Sequence, residues 1–152
     1  MTYTDPFPPT DPPRVDGVPL SHLIPVVFGD WSEDGHEGTS RQYFWSNQPV
    51  SVWRQAVYAG ECKVGISLRK ICSGYEETTV DASVVAKLRT AGFAQEFEGC
   101  VEDDQQGISP YDFECIFFFL LETGNPRILY QRIEHGSHHQ EVHPGGYGLY
   151  GS

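Results

Sequence analysis

The sequence predicts an α+β fold: a single compact domain in which a mostly antiparallel sheet packs against two or three helices. Two apolar segments, residues 23–28 and 41–46, flank a glycine-rich connection and are typical of paired strands. Apolar residues recur at three- and four-residue spacing in residues 50–57 and 84–91, which indicates helices with one buried face. With 152 residues, of which 13% are aromatic, the chain can fill one core without disulfides or metals.

Composition divides the chain into a domain and two flanking segments. Residues 1–25 contain seven prolines and little periodicity, a composition that favours extended backbone over packed elements. We therefore expect residues 1–17 to form a Pro-rich extended arm or tail and residues 18–134 to form the α+β domain. Residues 135–152 are rich in Gly and His and have no period, which predicts a C-terminal tail.

The first helix and a third strand follow the two paired strands. Asn47 is a candidate N-cap for a helix that ends near Gly60. The buried face of this helix is predicted to carry Val50, Trp53, Ala56 and Val57. In residues 63–70, apolar side chains alternate with polar or small ones, which predicts a half-buried strand.

A second helix is predicted after Asp81, which could cap its N-terminus. Its core-facing residues are predicted to be Val84, Val85, Leu88 and Ala91. Gly92 lies where a helix C-terminus needs a residue in the left-handed conformation. These signals place the helix between Asp81 and Gly92.

The clearest helix start is formed by Ser109, Pro110 and Asp112. Serine can cap, proline suits the first turn, and aspartate at the third position completes an approximate capping box. The body, residues 113–121, is apolar all round, so such a helix would lie centrally in the core. The same run could instead be a buried strand that turns back into residues 127–134. The capping residues favour the helix.

The charge of the chain argues against nonspecific binding to nucleic acid and is compatible with a basic protein partner. The formal net charge is −11, whereas nonspecific nucleic-acid binding requires cationic groups that neutralise phosphates. Between Arg89 and Arg127 there is no Lys or Arg. The acids in that interval are Glu96, Glu98, Glu102, Asp103, Asp104, Asp112, Glu114 and Glu122. Either this region is a solvated surface that keeps the chain soluble, or it is an acidic face that binds a basic protein.

Our leading hypothesis is a non-enzymatic acidic interaction protein, such as an inhibitor or immunity-type binder of a basic protein partner. Aromatic anchors carry interface energy, and peripheral charges contribute specificity and association rate. The predicted partner-binding residues are Phe93, Phe97, Glu96, Glu98, Glu102, Asp103 and Asp104. A third hypothesis is a viral or phage accessory protein that acts in a host cell.

The connection at residues 29–38 supports the second hypothesis, a metal-dependent enzyme or metal-stabilised binding protein. This loop contains four acids, one histidine and three glycines. Its candidate ligands for a divalent metal ion are Asp30, Ser32, Asp34, His36 and Glu37. Their spacing begins like a calcium-binding EF-hand loop, but the twelfth position holds Arg41 instead of a carboxylate, which excludes that motif. The other interpretation is a polar turn, since Asp, Ser and Gly favour turns.

No other motif indicates catalysis, so no catalytic residue is predicted. The chain contains no G-x-S-x-G, no H-E-x-x-H and no P-loop. A literal G-x-G-x-x-G match at residues 146–151 lacks the following helix that dinucleotide binding requires. The tail also contains four histidines, for which a polar tail is favoured over a zinc site. They are His135, His138, His139 and His143.

A cytoplasmic location, or a host cytoplasm for a viral protein, is expected from the cysteines and the apolar runs. The four cysteines are widely spaced and no secretion signal is visible, so we expect free, mostly buried thiols. The longest apolar run, residues 116–121, is far shorter than the roughly 20 residues that span a bilayer. No membrane association is therefore expected.

The metal hypothesis predicts stoichiometric binding of calcium, magnesium or zinc to the purified chain. A ligand that binds the folded state alone raises the melting temperature, and the rise increases with the ligand concentration. Calorimetric titration and thermal unfolding in saturating metal measure both effects. A titration without heat, together with an unchanged melting temperature, would reject a metal site in residues 29–38.

Overall fold

In the residues that the structure describes, two three-stranded antiparallel sheets and a two-stranded hairpin combine with four helices. The computed structural model describes residues 12–28, 40–71 and 78–133. The elements in this part of the chain are, in order, β1 (Arg14–Val15), β2 (Val18–Pro19), β3 (His22–Phe28), β4 (Ser40–Ser46), α1 (Val50–Val64), α2 (Leu68–Ile71), β5 (Thr78–Asp81), α3 (Ala82–Ala91), β6 (Val101–Glu102), β7 (Gln105–Ile108), α4 (Pro110–Gly124) and β8 (Tyr130–Arg132).

Every strand pair is antiparallel, which confirms the predicted α+β class. The strand orders are β1-β2, β3-β4-β8 and β5-β7-β6. The predicted sheet is thus divided into three smaller ones, and the four-residue helix α2 accompanies three long helices. The strands β5, β6 and β7 have no apolar alternation in their sequence, and none of the three was predicted.

Strands β3 and β4 form the hairpin that the two apolar segments predicted. Their register pairs Ile24 with Phe44, and both side chains are buried in the main core. Trp45, the next residue along β4, faces the other side of the sheet because side chains alternate along a strand. There it packs with Leu20 and Ile133 in a second, smaller core. The sheet is therefore covered on both faces.

Helix α1 is longer than predicted, because Gly60 lies inside it and does not end it. The helix continues to Val64, and Gly65 ends it in the left-handed conformation with φ 88°. Pro49 occupies the N-cap position that was predicted for Asn47. The Asn47 side chain instead accepts a hydrogen bond from the Leu129 N–H at 2.9 Å, so it fixes the segment before β8.

The predicted strand at residues 63–70 is wrong, because this segment contains the end of α1 and the start of α2. Val64 is the last residue of α1 and Leu68 the first of α2, and both are buried. The Glu61 carboxylate accepts a hydrogen bond from the Leu68 N–H at 2.8 Å and thereby satisfies the first turn of α2. Val64, Ile66 and Leu68 lie at alternate positions of the sequence. Across the end of one helix and the start of the next, this spacing resembles the alternation of a strand.

The predicted boundaries of α3 are confirmed, but the predicted cap is not. Asp81 occupies the N-cap position, yet its side chain makes no capping hydrogen bond. Gly92 follows the helix with φ 110°, and its N–H donates to the Leu88 and Arg89 carbonyls. On the core-facing side Leu88 is buried, while Ala91 is exposed, contrary to prediction.

The helical interpretation of α4 is confirmed by its capping box. The Ser109 hydroxyl accepts a hydrogen bond from the Asp112 N–H at 3.0 Å, and the Asp112 carboxylate accepts one from the Ser109 N–H at 2.9 Å. The helix ends at Gly124, before the Asn125 C-cap. Its body fills the main core with fully buried side chains, namely Phe113, Ile116, Phe117, Leu120 and Leu121.

Helices α1 and α4 approach each other closely at one glycine in each helix. A Cβ atom at Gly60 would overlap the carbonyl oxygen of Leu120, and one at Gly124 would overlap that of Ala56. Such backbone contact places the buried Trp53 against the body of α4 within one core. The two glycines are therefore packing positions.

The described part of the predicted arm, residues 12–17, contributes to the hairpin of β1 and β2. Asp16 and Gly17 form its turn with φ 52° and 80°, as two-residue hairpin turns require. The Arg14 guanidinium donates to the Gly17 carbonyl at 2.7 Å. The division at residues 1–17, 18–134 and 135–152 stays a prediction.

We expect Gly60→Ala to lower the free energy of unfolding by about 1–3 kcal/mol, because the added methyl group forces α1 away from the Leu120 carbonyl. The measurement is urea unfolding followed by circular dichroism. Gln55→Ala, at an exposed position of the same helix, is the control and should change stability by less than about 0.5 kcal/mol. Equal stability of the two variants would contradict the close helix contact.

Candidate functional site

Five exposed carboxylates lie on the loop after α3 and on the hairpin of β6 and β7. We call this set the acidic face, and it consists of Glu96, Glu98, Glu102, Asp103 and Asp104. The hairpin turn is formed by Asp103 and Asp104 with φ 52° and 65°. Both central residues of such a turn must adopt the left-handed conformation, which aspartate tolerates better than most residues. The turn therefore presents two negative charges side by side.

Close backbone packing fixes the base of this hairpin. The Gly107 N–H donates to the Cys100 carbonyl at 2.9 Å. A Cβ atom at Gly99 would overlap the backbone of Gly107. The two backbone segments therefore approach each other as closely as only glycine permits. The Gln106 side-chain amide donates to the Gly99 carbonyl at 2.9 Å and to the Gly107 carbonyl at 2.8 Å.

The hairpin is also held against the start of α3. The Ala82 N–H donates to the Asp104 carbonyl at 3.2 Å, so a free amide of the first helical turn binds the turn of the hairpin. The Gln105 side chain donates to the Asp81 carboxylate at 2.6 Å. This bond explains why Asp81 does not cap its own helix.

The buried Asp112 carboxylate connects the acidic face to α4. Its Oδ2 atom accepts hydrogen bonds from the Glu98 N–H at 3.0 Å and from the Ser109 N–H at 2.9 Å. The Asp112 side chain is 0% exposed. One carboxylate thus starts the core helix and positions the backbone that carries Glu98.

Arg89 fixes the first part of the loop, which contains the predicted aromatic anchors. Its guanidinium donates to the Phe93 carbonyl at 2.8 Å and to the Gln95 carbonyl at 2.7 Å. The same group lies over the Phe97 ring, 5.0 Å from its centroid, and 5.8 Å from that of Phe93. Phe93 is 5% exposed and belongs to the main core, and its predicted role as an anchor for a partner stays a prediction. Phe97 is half-buried.

A groove of about 470 Å³ opens beside this loop, between α4 and the strands β4 and β8. We call it the aromatic groove, and the side chains that characterise it are Tyr111, Glu114, Phe118, Phe119, Glu122 and Tyr130. Phe118 and Tyr130 stack with ring centroids 5.4 Å apart and an interplanar angle of 19°. Both rings are half-buried, as is Phe119, and the three rings line the groove; we call them its aromatic floor. Ala94 and Gln95 line one end.

Two tyrosines at the groove have a raised pKa because of burial, hydrogen bonds and nearby carboxylates. Burial, followed by a 2.7 Å hydrogen bond to the Glu122 carboxylate, raises the pKa of Tyr130 above its ordinary value. The hydrogen bond with the Cys115 thiol is the largest cause of a raised pKa at the exposed Tyr111, and the charges of Glu98 and Glu114 raise that pKa further. Tyr111 is therefore close to the acidic face as well as to the groove.

The predicted metal ligands Asp30, Ser32, Asp34, His36 and Glu37 lie outside the described residues, as do the four histidines of the tail. The register pairs Phe28 with Ser40, so the two ends of the connecting segment are neighbours. Among the residues that the structure describes, no group of three or more His, Cys, Asp or Glu side chains is arranged to hold a metal ion.

The cysteines in the described ranges are free, as predicted, but they are not mostly buried. Cys62 and Cys100 are exposed and Cys115 is half-buried. Cys62 and Cys115 each lie four residues after an exposed tyrosine, Tyr58 and Tyr111, whose pKa is raised first by a hydrogen bond with that thiol. In each pair, the four-residue spacing places the tyrosine and the cysteine on the same face of their helix.

No protein-family model, curated protein or solved structure matches this chain. None of the helices in the described ranges is both long enough and apolar enough to cross a membrane. The geometry of the acidic face and the aromatic groove is therefore the basis for a functional conclusion.

Sequence reasoning identified the five acids but missed the groove. Its walls come from segments far apart in the chain, so no local pattern describes it. One signal was present: Glu114, Phe118 and Glu122 follow each other at four-residue spacing, which places them on one face of α4.

We expect Asp112→Ala to lower the free energy of unfolding by about 2–4 kcal/mol, because two amide donors lose their buried acceptor. Ser109→Ala removes the other half of the capping box and should cost about 1 kcal/mol. Only Asp112→Ala should accelerate hydrogen exchange of the Glu98 amide. Equal effects of the two variants on stability and exchange would show that Asp112 serves the helix alone.

Proposed function

We propose that this chain is a non-enzymatic interaction protein that binds a basic protein partner through the acidic face. The observation that carries the proposal is the fixed presentation of five exposed carboxylates on one loop and hairpin. Opposite charge across an interface accelerates association and selects among partners. An inhibitor or immunity-type protein of the cytoplasm is the kind of molecule that fits this chemistry.

The rigidity of the acidic face supports binding over simple solvation. A surface that only keeps a protein soluble needs charge but no defined arrangement of it. Here the Asp112 carboxylate binds the Glu98 backbone and the Ala82 amide binds the Asp104 backbone. The Arg89 guanidinium binds the Gln95 carbonyl, directly before Glu96. Preorganised groups lose less conformational entropy when a partner binds, which increases affinity.

An exposed apolar side chain lies within the acidic face. Val101 is 66% exposed and directly precedes Glu102 in β6. Binding energy at protein interfaces comes mainly from buried apolar and aromatic contacts, while surrounding charges orient the partner. Val101 therefore supplies an apolar contact that a purely solvated surface would lack.

The net charge of −11 also restricts the kind of partner. Nucleic acid and anionic membrane surfaces are both polyanionic, and they would be repelled by this chain. A protein with a basic surface is attracted over a distance of about 8 Å at physiological salt. The proposed partner is accordingly a basic protein.

We expect the combined variant Glu102→Gln, Asp103→Asn and Asp104→Asn to bind the partner about tenfold more weakly, since each exposed ion pair contributes roughly 0.5 kcal/mol. Asparagine tolerates the left-handed conformation at 103 and 104, so the turn is retained. The partner is first identified by affinity capture from the native source. Binding to the purified partner is then measured by biolayer interferometry at low and high salt.

Asp16→Asn is the matched control, because Asp16 is exposed and has φ 52°, the same value as Asp103, in the turn of another hairpin. Asp103→Asn alone should weaken binding and reduce its salt dependence, while Asp16→Asn should do neither. Unchanged affinity of the combined variant would show that the acidic face is merely solvated.

A further inference from the structure

We propose that the aromatic groove binds an arginine side chain of the basic partner. This inference rests on the proposed function, because it specifies which side chain the basic partner inserts. Two features of the groove carry it: an aromatic floor formed by half-buried rings, and carboxylates at its edge. A third feature is its continuity with the acidic face.

The floor suits a flat cationic group. Phe118 and Tyr130 are stacked, and Phe118 also packs edge-on against Phe44 at 5.4 Å. These contacts hold the rings in place before any ligand arrives. A cation above such rings is attracted by their negative faces, and a planar guanidinium can also stack on them.

The edge of the groove is negatively charged. Glu114 and Glu122 are eight residues apart on α4, with Phe118 midway between them on the same helix face. The charged side chains that line the groove, within the described ranges, are these two carboxylates and one guanidinium, that of Arg132. A cationic side chain on the floor would thus have a carboxylate toward each end of the groove, and the groove keeps a net negative charge.

The groove and the acidic face form one continuous surface. Ala94 and Gln95 line the end of the groove and directly precede Glu96 in the chain. Tyr111, at the groove, is close enough to Glu98 for that carboxylate to raise the pKa of its hydroxyl. A partner that covers the acidic face can therefore reach the groove without a second docking surface.

Arginine fits this arrangement better than lysine. The guanidinium is planar, pairs with carboxylates through two parallel hydrogen bonds and stacks on aromatic rings, whereas the ammonium of lysine is a compact, strongly hydrated charge. The chain itself provides an example on the neighbouring aromatic residues: the Arg89 guanidinium lies 5.0 Å from the Phe97 centroid. The groove offers the same chemistry to a guanidinium from outside.

The test compares labelled oligoarginine and oligolysine peptides of equal length, bound to the full chain and followed by fluorescence anisotropy. We expect the wild-type chain to bind oligoarginine about three- to fivefold more tightly than oligolysine, because stacking on the aromatic floor adds to charge attraction. Tyr111→Leu removes the most exposed aromatic ring that lines the groove and should bring this ratio close to one. The pair Glu114→Gln and Glu122→Gln, tested separately, should have the same effect. Circular dichroism verifies that each variant folds.

Tyr58→Leu is the matched control for Tyr111→Leu. Both tyrosines are exposed, and each hydrogen-bonds the thiol of the cysteine four residues later, but Tyr58 lies on α1 and lines a different cleft. The control should leave the arginine preference unchanged. A wild-type ratio near one, or an equal loss of preference in Tyr58→Leu and Tyr111→Leu, overturns the inference.

The acidic-face variant separates this inference from the proposed function. Glu102→Gln with Asp103→Asn and Asp104→Asn should weaken both peptides to the same degree and leave their ratio unchanged. One outcome is that the acidic-face variant binds both peptides more weakly while the wild-type chain shows no preference for arginine. In that case the groove inference fails and the proposed function stands. If the preference exists but the acidic-face variant changes neither affinity, the result contradicts the proposed function alone.

Discussion

The close approach of α1 and α4 is the constraint on which the rest of the structure depends. Backbone contact at Gly60 and Gly124 brings one side of α4 against α1. Helix α4 carries a nearly continuous apolar surface, so the sheet of β3, β4 and β8 must cover another side of it, where Phe44 packs against Phe118. The side that neither neighbour covers completely is the aromatic groove. The groove is thus a consequence of helix packing.

The Asp112 carboxylate links this core to the surface. A buried charge is stable only when hydrogen bonds replace the water it has lost. The Glu98 and Ser109 amides do so for the Oδ2 atom, which couples the start of the core helix to the position of a surface loop. The Oδ1 atom is buried without a hydrogen-bond partner among the described residues, so loss of the Glu98 amide would weaken a carboxylate that is already incompletely satisfied.

Sequence patterns correctly predicted those elements that depend only on residues close together in the chain. The capping residues Ser109 and Asp112 and the apolar strands could be recognised because their signals need only adjacent residues. Gly60 was misread because its role depends on α4, sixty residues later in the chain. The acids were found by composition, but the burial of Phe93 follows from tertiary packing, and the groove combines distant segments. The burial of Phe93 and the existence of the groove could therefore be recognised only in the structure.

The turn at Asp103 and Asp104 has a further consequence for the energetics of recognition. Two like charges on adjacent left-handed residues repel each other, a cost that asparagine or glycine would avoid in the same turn. A bound cation would relieve this repulsion. Because such coupling is reciprocal, the relief of this repulsion would add to the affinity for the proposed basic partner. The hairpin is accordingly expected to be more stable beside a positive charge than alone.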